Sequence, residues 1–250
     1  MSGHSKWNNI KHRKEGTDKK RGKIFTKHAK LIQIAAAASG GDPSMNPALR
    51  SAIEGAKADN VPVDNIDRAI KKGTGESKDS SIIEEVFYEG FGPGGSAFYI
   101  EALTDNRNRT ITNLKIIMGR NGGIMGSAGS TGYLFERKGL MEVIMPSNGN
   151  SDEIELAAID AGANDVLKEE DQILIYTDPQ GLMQVRSELE NGGVKTESAA
   201  IVYEALSPVE INDEAIAKDL LYLMDALEDD EDVSTVYTNA EIDPDLIEKL

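Results

Sequence analysis

Apolar residues recur at helical spacing in the first third of the chain and at strand spacing afterwards. Ile24, Phe25, Leu31, Ile32, Ile34, Ala35 and Ala38 predict a helix that stops at Gly40-Gly41. Asn46-Pro47 then supplies a cap and first-turn pair, and Leu49, Ala52, Ile53 and Ala56 fall at i, i+3, i+4 and i+7. A third helix opens at Pro62 or Asp64, turns Val63, Ile66, Ala69 and Ile70 inward, and places Lys71 and Lys72 in its last turn before Gly73-Thr74-Gly75. Three short amphipathic helices of this kind predict a small bundle.

From Ile82 the period changes to two. Ile82 to Glu89 and Ala97 to Leu103 predict a hairpin around Gly92-Pro93-Gly94-Gly95, followed by a helix from about Arg107 to Arg120 and a Gly- and Ser-rich loop from Gly126 to Gly132. Next come predicted strands at Tyr133 to Arg137 and Leu140 to Met145, a helix on Ile154, Ala157, Ala158 and Ala161, and strands at Asp165 to Lys168 and Ile173 to Thr177. A helix on Leu182, Val185 and Leu189 and a strand at Lys195 to Tyr203 follow. That order, β-α-β-β-α-β, is the ferredoxin-like motif. A strand at Val209 to Ile211, a helix on Ile216, Leu220, Leu223, Met224 and Leu227, and a strand at Val233 to Tyr237 remain, and would complete the half-module left open at Gly123.

The predicted fold class is therefore α+β and multi-domain: an N-terminal three-helix bundle with a basic arm (residues 1–77), then two α/β, ferredoxin-like modules, one inserted in the other. The outer module is discontinuous, over residues 78–131 and 206–250, and the inserted one covers 132–205.

Charge changes the picture at the N-terminus. The chain carries a net charge of −16, yet residues 1 to 30 hold ten Lys or Arg against Glu15 and Asp18, a net +8, which leaves −24 on the remaining 220 residues. Through Lys23 the large apolar residues are Met1, Trp7 and Ile10, too few to offset backbone entropy, so the first two dozen residues are expected to be a mobile arm, broken at Gly3, Gly16 and Gly22. An acidic body repels phosphate everywhere except at such an arm. Lys6, Lys11, Arg13, Lys14, Lys19, Lys20, Arg21, Lys23 and Lys27 are candidate phosphate contacts, Trp7 a stacking plane for a base, and His4, Asn8, Asn9 and His12 hydrogen-bonding groups. A solvated, functionless basic terminus is the plainer alternative.

Five stretches, GHSKW at Gly3 to Trp7, RGKIFTK at Arg21 to Lys27, NPALR at Asn46 to Arg50, YEGFGPGG at Tyr88 to Gly95 and DNRNRT at Asp105 to Thr110, together resemble the YebC/PmpR family. The resemblance implies a three-domain layout and a role in gene expression, since members are described as probable transcriptional regulators and mitochondrial relatives as translational activators of cytochrome c oxidase. After Phe135 it is a match of pattern only and implies no residue's role.

Other chemistry is largely excluded. The three histidines, His4, His12 and His28, lie in or beside the arm, so neither α/β module has an imidazole base, and zero cysteines exclude disulfides, thiolate catalysis and cysteine-bound metal. No catalytic residue, metal or cofactor is expected. Absence of a long apolar run or of a signal segment predicts a soluble, cytoplasmic protein without a membrane partner. The glycines from Gly122 to Gly132 leave N–H groups that an anion could use. Arg107 and Arg109, at a strand-to-helix junction, are a second candidate phosphate site; the alternative is a local cap, with both arginines paired to nearby carboxylates.

The second and third helices have helix-turn-helix length, but the third opens on Asp64 and Asp67, which would repel a duplex at the turn meant to enter it. The expected function is a non-enzymatic nucleic-acid-binding regulator, contacting ribosomal RNA through the arm as a ribosome-associated translation factor. A transcriptional regulator at promoter DNA is the alternative. The acidic modules would face solvent or a protein partner, and a monomer is assumed.

Overall fold

The computed structural model describes residues 18–77, 81–145, 151–169, 172–243 and 246, with the backbone alone for 18–21. Of the arm, His4, Lys6, Trp7, Asn8, Asn9, Lys11, His12, Arg13 and Lys14 lie outside the described residues, as do the side chains of Lys19, Lys20 and Arg21. The chain divides into two compact units, residues 1–133 with 207–250, and residues 134–206.

The first unit begins with α1 (Asp18–Ser39), α2 (Pro47–Ala58) and α3 (Val63–Gly73). Helix α1 starts six residues before the first apolar position of its pattern, so Asp18 to Lys23, expected in the mobile arm, are helical. Lys and Arg are good helix formers, and the single Gly22 costs only about 1 kcal/mol against them. The three helices share one core of Ile32, Ala35, Ala36, Leu49, Ile53, Ala56, Val61, Ile66 and Ala69. Asn46, 1% exposed, ties its entry together: its Oδ1 accepts from Leu49 N at 3.0 Å, and its Nδ2 donates to the carbonyls of Ala35 and Gly40.

Helix α3 packs chiefly along α1 and only lightly on α2. Gly73 makes the approach close, since a Cβ there would meet Gln33 O at 2.5 Å and Ala36 Cβ at 2.8 Å. A helix-turn-helix pair relies on its two helices packing on each other, and here each leans on α1 instead.

The rest of this unit is an antiparallel sheet in the order β3-β1-β2-β9, built from β1 (Glu84–Phe91), β2 (Ala97–Thr104), β3 (Ile124–Met125) and β9 (Val233–Thr238). Helices α4 (Arg107–Arg120) and α7 (Glu214–Glu228) cover one face, where Phe98, Ile100, Leu114, Met118, Leu220, Leu223, Leu227 and Val236 form the core. Alternation along β2 sends Tyr99 and Glu101 to the other face, where Tyr99 stacks on Phe87 at 4.8 Å. The strands β8 (Val209–Ile211) and β10 (Ala240–Ile242) were expected to join this sheet or were not expected at all. They pair with each other in parallel, and the two-residue β3, between the predicted helix and the predicted loop, takes the free edge of β1.

The second unit is the ferredoxin-like motif: β4 (Phe135–Ile144), α5 (Ser151–Asp160), β5 (Asp165–Lys168), β6 (Gln172–Thr177), α6 (Leu182–Asn191) and β7 (Thr196–Ala205), with sheet order β5-β6-β4-β7, all antiparallel. Two strands were expected where the single β4 runs through Lys138-Gly139. Gly139 stays in register because the missing Cβ admits Thr177 Oγ1 and the Leu182 side chain against the strand.

Gly73→Ala tests the α1–α3 approach. Alanine favours an exposed helix position by about 1 kcal/mol, but the clash with the Gln33 carbonyl is expected to outweigh this and lower stability by about 1–3 kcal/mol, read as a shift in the urea midpoint of the intact chain.

Candidate nucleic-acid interface

The lysines of α1 that follow the arm stand at i, i+4 and i+7, on one helical face. Lys23 Nζ donates to the Glu228 carbonyl (2.6 Å) and to Asp229 Oδ1 (2.9 Å). Lys27 Nζ donates to the Ser234 carbonyl (2.9 Å) and Thr235 Oγ1 (3.4 Å), and Lys30 Nζ to the Glu231 carbonyl (2.7 Å) and Asp232 Oδ1 (2.9 Å). Burial lowers the Lys27 ammonium pKa, against the pull of Glu101 and Asp59, and burial raises the Glu101 carboxyl pKa in turn. Lys23 and Lys27, grouped with the arm by charge, are thus bound to the protein's own oxygens. Nearby, His28 Nε2 lies 2.6 Å from Asp59 Oδ2 inside the bundle.

Arg107 and Arg109 are also paired, as the local-cap alternative has it. Asn106 caps α4, its Oδ1 accepting from Asn108 N and Arg109 N at 3.1 Å each. Arg107 Nε donates to Glu84 Oε2 at 2.6 Å, with its side chain 65% exposed. Arg109 Nη2 donates to Asp105 Oδ1 at 2.8 Å and, with Nε, grips Asp232. Asp232 is 4% exposed. Besides Arg109 and Lys30, its carboxylate accepts from Thr110 Oγ1 (2.9 Å) and Thr104 Oγ1 (3.4 Å). Burial pushes its pKa up, but the hydrogen bonds from Lys30, Arg109 and Thr110 outweigh that and hold the carboxyl below its ordinary value.

The glycine loop is an anion nest, and its anion is internal. The N–H groups of Gly129, Thr131 and Gly132 donate to the Glu89 carboxylate at 2.6, 2.5 and 2.7 Å. Burial raises the Glu89 pKa, and these backbone donors more than reverse it, to a net lowering. Tyr88 OH donates to the Arg107 carbonyl at 3.3 Å, so both glycine- and arginine-rich motifs meet around β1. Among the described residues no group of three or more His, Asp or Glu is placed to hold a metal ion, and no helix is long and apolar enough to cross a membrane.

Asp232, missed in the sequence because one aspartate in an acidic run has no distinguishing mark, generates a prediction. A depressed folded pKa contributes stability that is present above the ordinary carboxylate value of about 3.9 and lost as pH falls through the folded value. Asp232→Asn, which leaves two cations short of their shared anion, is expected to cost about 3–5 kcal/mol at pH 7. The gap from the parent chain should narrow below about pH 4, read by denaturant unfolding at both pH values.

Comparison with known proteins gives a consistent result. The family model for the TACO1/YebC protein N-terminal domain matches residues 5–76, and that for the TACO1/YebC second and third domain matches residues 83–240. Proteins of Halothermothrix orenii and Geotalea uraniireducens, each named probable transcriptional regulatory protein, are 47% and 48% identical to this chain over 100% of its length and 99% and 100% of theirs. The crystal structure of a conserved hypothetical protein, Aq1575, from Aquifex aeolicus superposes with a TM-score of 0.83 at 44% identity, covering 90% of this chain and 92% of that one. The five motifs and the fold they build have the same explanation: the chain belongs to the TACO1/YebC family.

Proposed function

We propose that this protein is a non-enzymatic nucleic-acid-binding regulator of gene expression that contacts ribosomal RNA through its basic N-terminal arm. One observation carries the proposal. The cations of the α/β junction and of the α1 face are engaged by the protein's own carboxylates and carbonyls, and the glycine nest is filled by Glu89. The positive charge concentrated in residues 1 to 22, set against a strongly acidic body, supports the arm as the contact.

In this proposal Lys6, Lys11, Arg13, Lys14, Lys19, Lys20 and Arg21 meet phosphate, Trp7 stacks on an unpaired base, and His4, Asn8, Asn9 and His12 make hydrogen bonds. Arg107, the more exposed of the two junction arginines, adds a contact if Glu84 releases it. The second unit presents Leu156, Ile159 and Met183 to solvent among acidic residues, which supports a protein partner on that unit.

Promoter DNA is the second reading, favoured by the names of the relatives. Against it stand the exposed Asp64 and Asp67 on α3 and the packing of α3 on α1, which leave no recognition helix of the usual kind.

The test is crosslinking and sequencing of nucleic acid bound in cells, with the intact chain and with one lacking residues 2–17, which keeps α1 whole. Arm-dependent crosslinks on ribosomal RNA are expected; discrete promoter crosslinks would replace RNA with DNA, and crosslinks indifferent to the arm would overturn both. In vitro, the deletion removes Lys6, Lys11, Arg13 and Lys14, and should reduce the slope of log affinity against log salt by about 3. Trp7→Ala should weaken single-stranded RNA binding by about 1–3 kcal/mol.

A further inference from the structure

Lys23, Lys27 and Lys30 of α1 meet a repeating cradle. At each site the ammonium takes one backbone carbonyl and the side-chain oxygen of the next residue: Glu228 O with Asp229, Glu231 O with Asp232, and Ser234 O with Thr235. The cradle repeats every three residues from 228 to 235, and Lys23, Lys27 and Lys30 project into it from one helical face. A row of paired oxygens carrying formal charge at two of three steps presents to lysine what a run of phosphates presents.

We propose that this face of α1 is a second phosphate-contacting surface, that the 228–235 segment is its internal stand-in, and that RNA displaces the segment and undocks the helical bundle. The inference rests on RNA being the partner of the arm, and it extends that contact along the same helix, adding Lys30. Three features of the structure make the exchange feasible. The bundle and the sheet have separate buried cores with no residue in common, so each side stays folded when they part. Asp232 keeps Arg109, Thr110 and Thr104 after Lys30 leaves, so the sheet side loses no buried anion to isolation. The seam itself is polar and ionic, and each lysine exchanges one set of oxygen acceptors for another, a trade with little net change in hydrogen bonding. The closed form then lowers apparent RNA affinity by the fraction of molecules that are open.

Because the chain has no cysteine, introduced thiols label cleanly. Fluorophores on Ser51→Cys, exposed on α2, and Glu210→Cys, exposed on β8, report the distance between bundle and sheet in the full chain. Ribosomal RNA fragments are titrated in, with Asp229→Asn as the variant that weakens the Lys23 site and Asp219→Asn, exposed on α7, as the control for the same change in net charge.

Distance should lengthen with the same midpoint as RNA binding, and Asp229→Asn should raise affinity about two- to fivefold over Asp219→Asn. Lys30→Gln should lower the salt slope of RNA binding by about 1. Arm-dependent RNA binding with no change in distance would overturn the displacement and leave the arm's role standing. Equal affinities of the two aspartate variants, or an unchanged slope in Lys30→Gln, would do the same. Failure of RNA to bind at all would overturn both.

Discussion

A single buried carboxylate, Asp232, joins the parts of the first unit that are furthest apart in sequence. It accepts from Lys30 of α1, Arg109 and Thr110 of α4 and Thr104 of β2, while its own carbonyl takes Leu103 N at 2.8 Å. A buried anion is costly unless it is paired and fully hydrogen-bonded. Two cations and two hydroxyls meet that condition here, and in meeting it they set the start of α4, the end of β2 and the seat of α1. Three segments are placed by the need to solvate one oxygen pair.

The same logic explains how so acidic a chain handles its few cations. Several positive groups are held close to carboxylates: Arg107 by Glu84, Lys138 by Glu204, and Lys168 by Asp152 and Glu155. Where backbone donors converge in the glycine loop, Glu89 fills the site and its charge organises the loop instead of recruiting an external anion. Features that resemble ligand sites when seen alone, a nest of N–H groups and a pair of arginines at a helix start, are thus closed by the fold.

Much of the fold was legible because its causes are local. The Asn46-Pro47 cap, the i, i+3, i+4, i+7 stripe of α2 and the β-α-β-β-α-β order of the second unit follow from neighbours a few residues apart. Errors fell where a distant contact overrode the local signal. Lys138-Gly139 looks like a break and is continuous strand because Thr177 and Leu182 close on Gly139. Ile124 and Met125 look like loop and pair with Phe91 and Gly90. Gly22 looks like a break in the arm and sits within α1, whose lysine face is held by the sheet module.

By itself the sequence determined the helical bundle, the ferredoxin-like unit, the family and the segregation of charge, all of which depend on residue order at short range or on composition. Tertiary structure alone decided which charges meet. Lys23 and Asp229 are 206 positions apart and Arg109 and Asp232 are 123, and no pattern in either segment marks the pairing. The physical reason is that an ion pair's strength depends on burial and on the acceptors that surround it, and both come into existence only when the distant segments have packed.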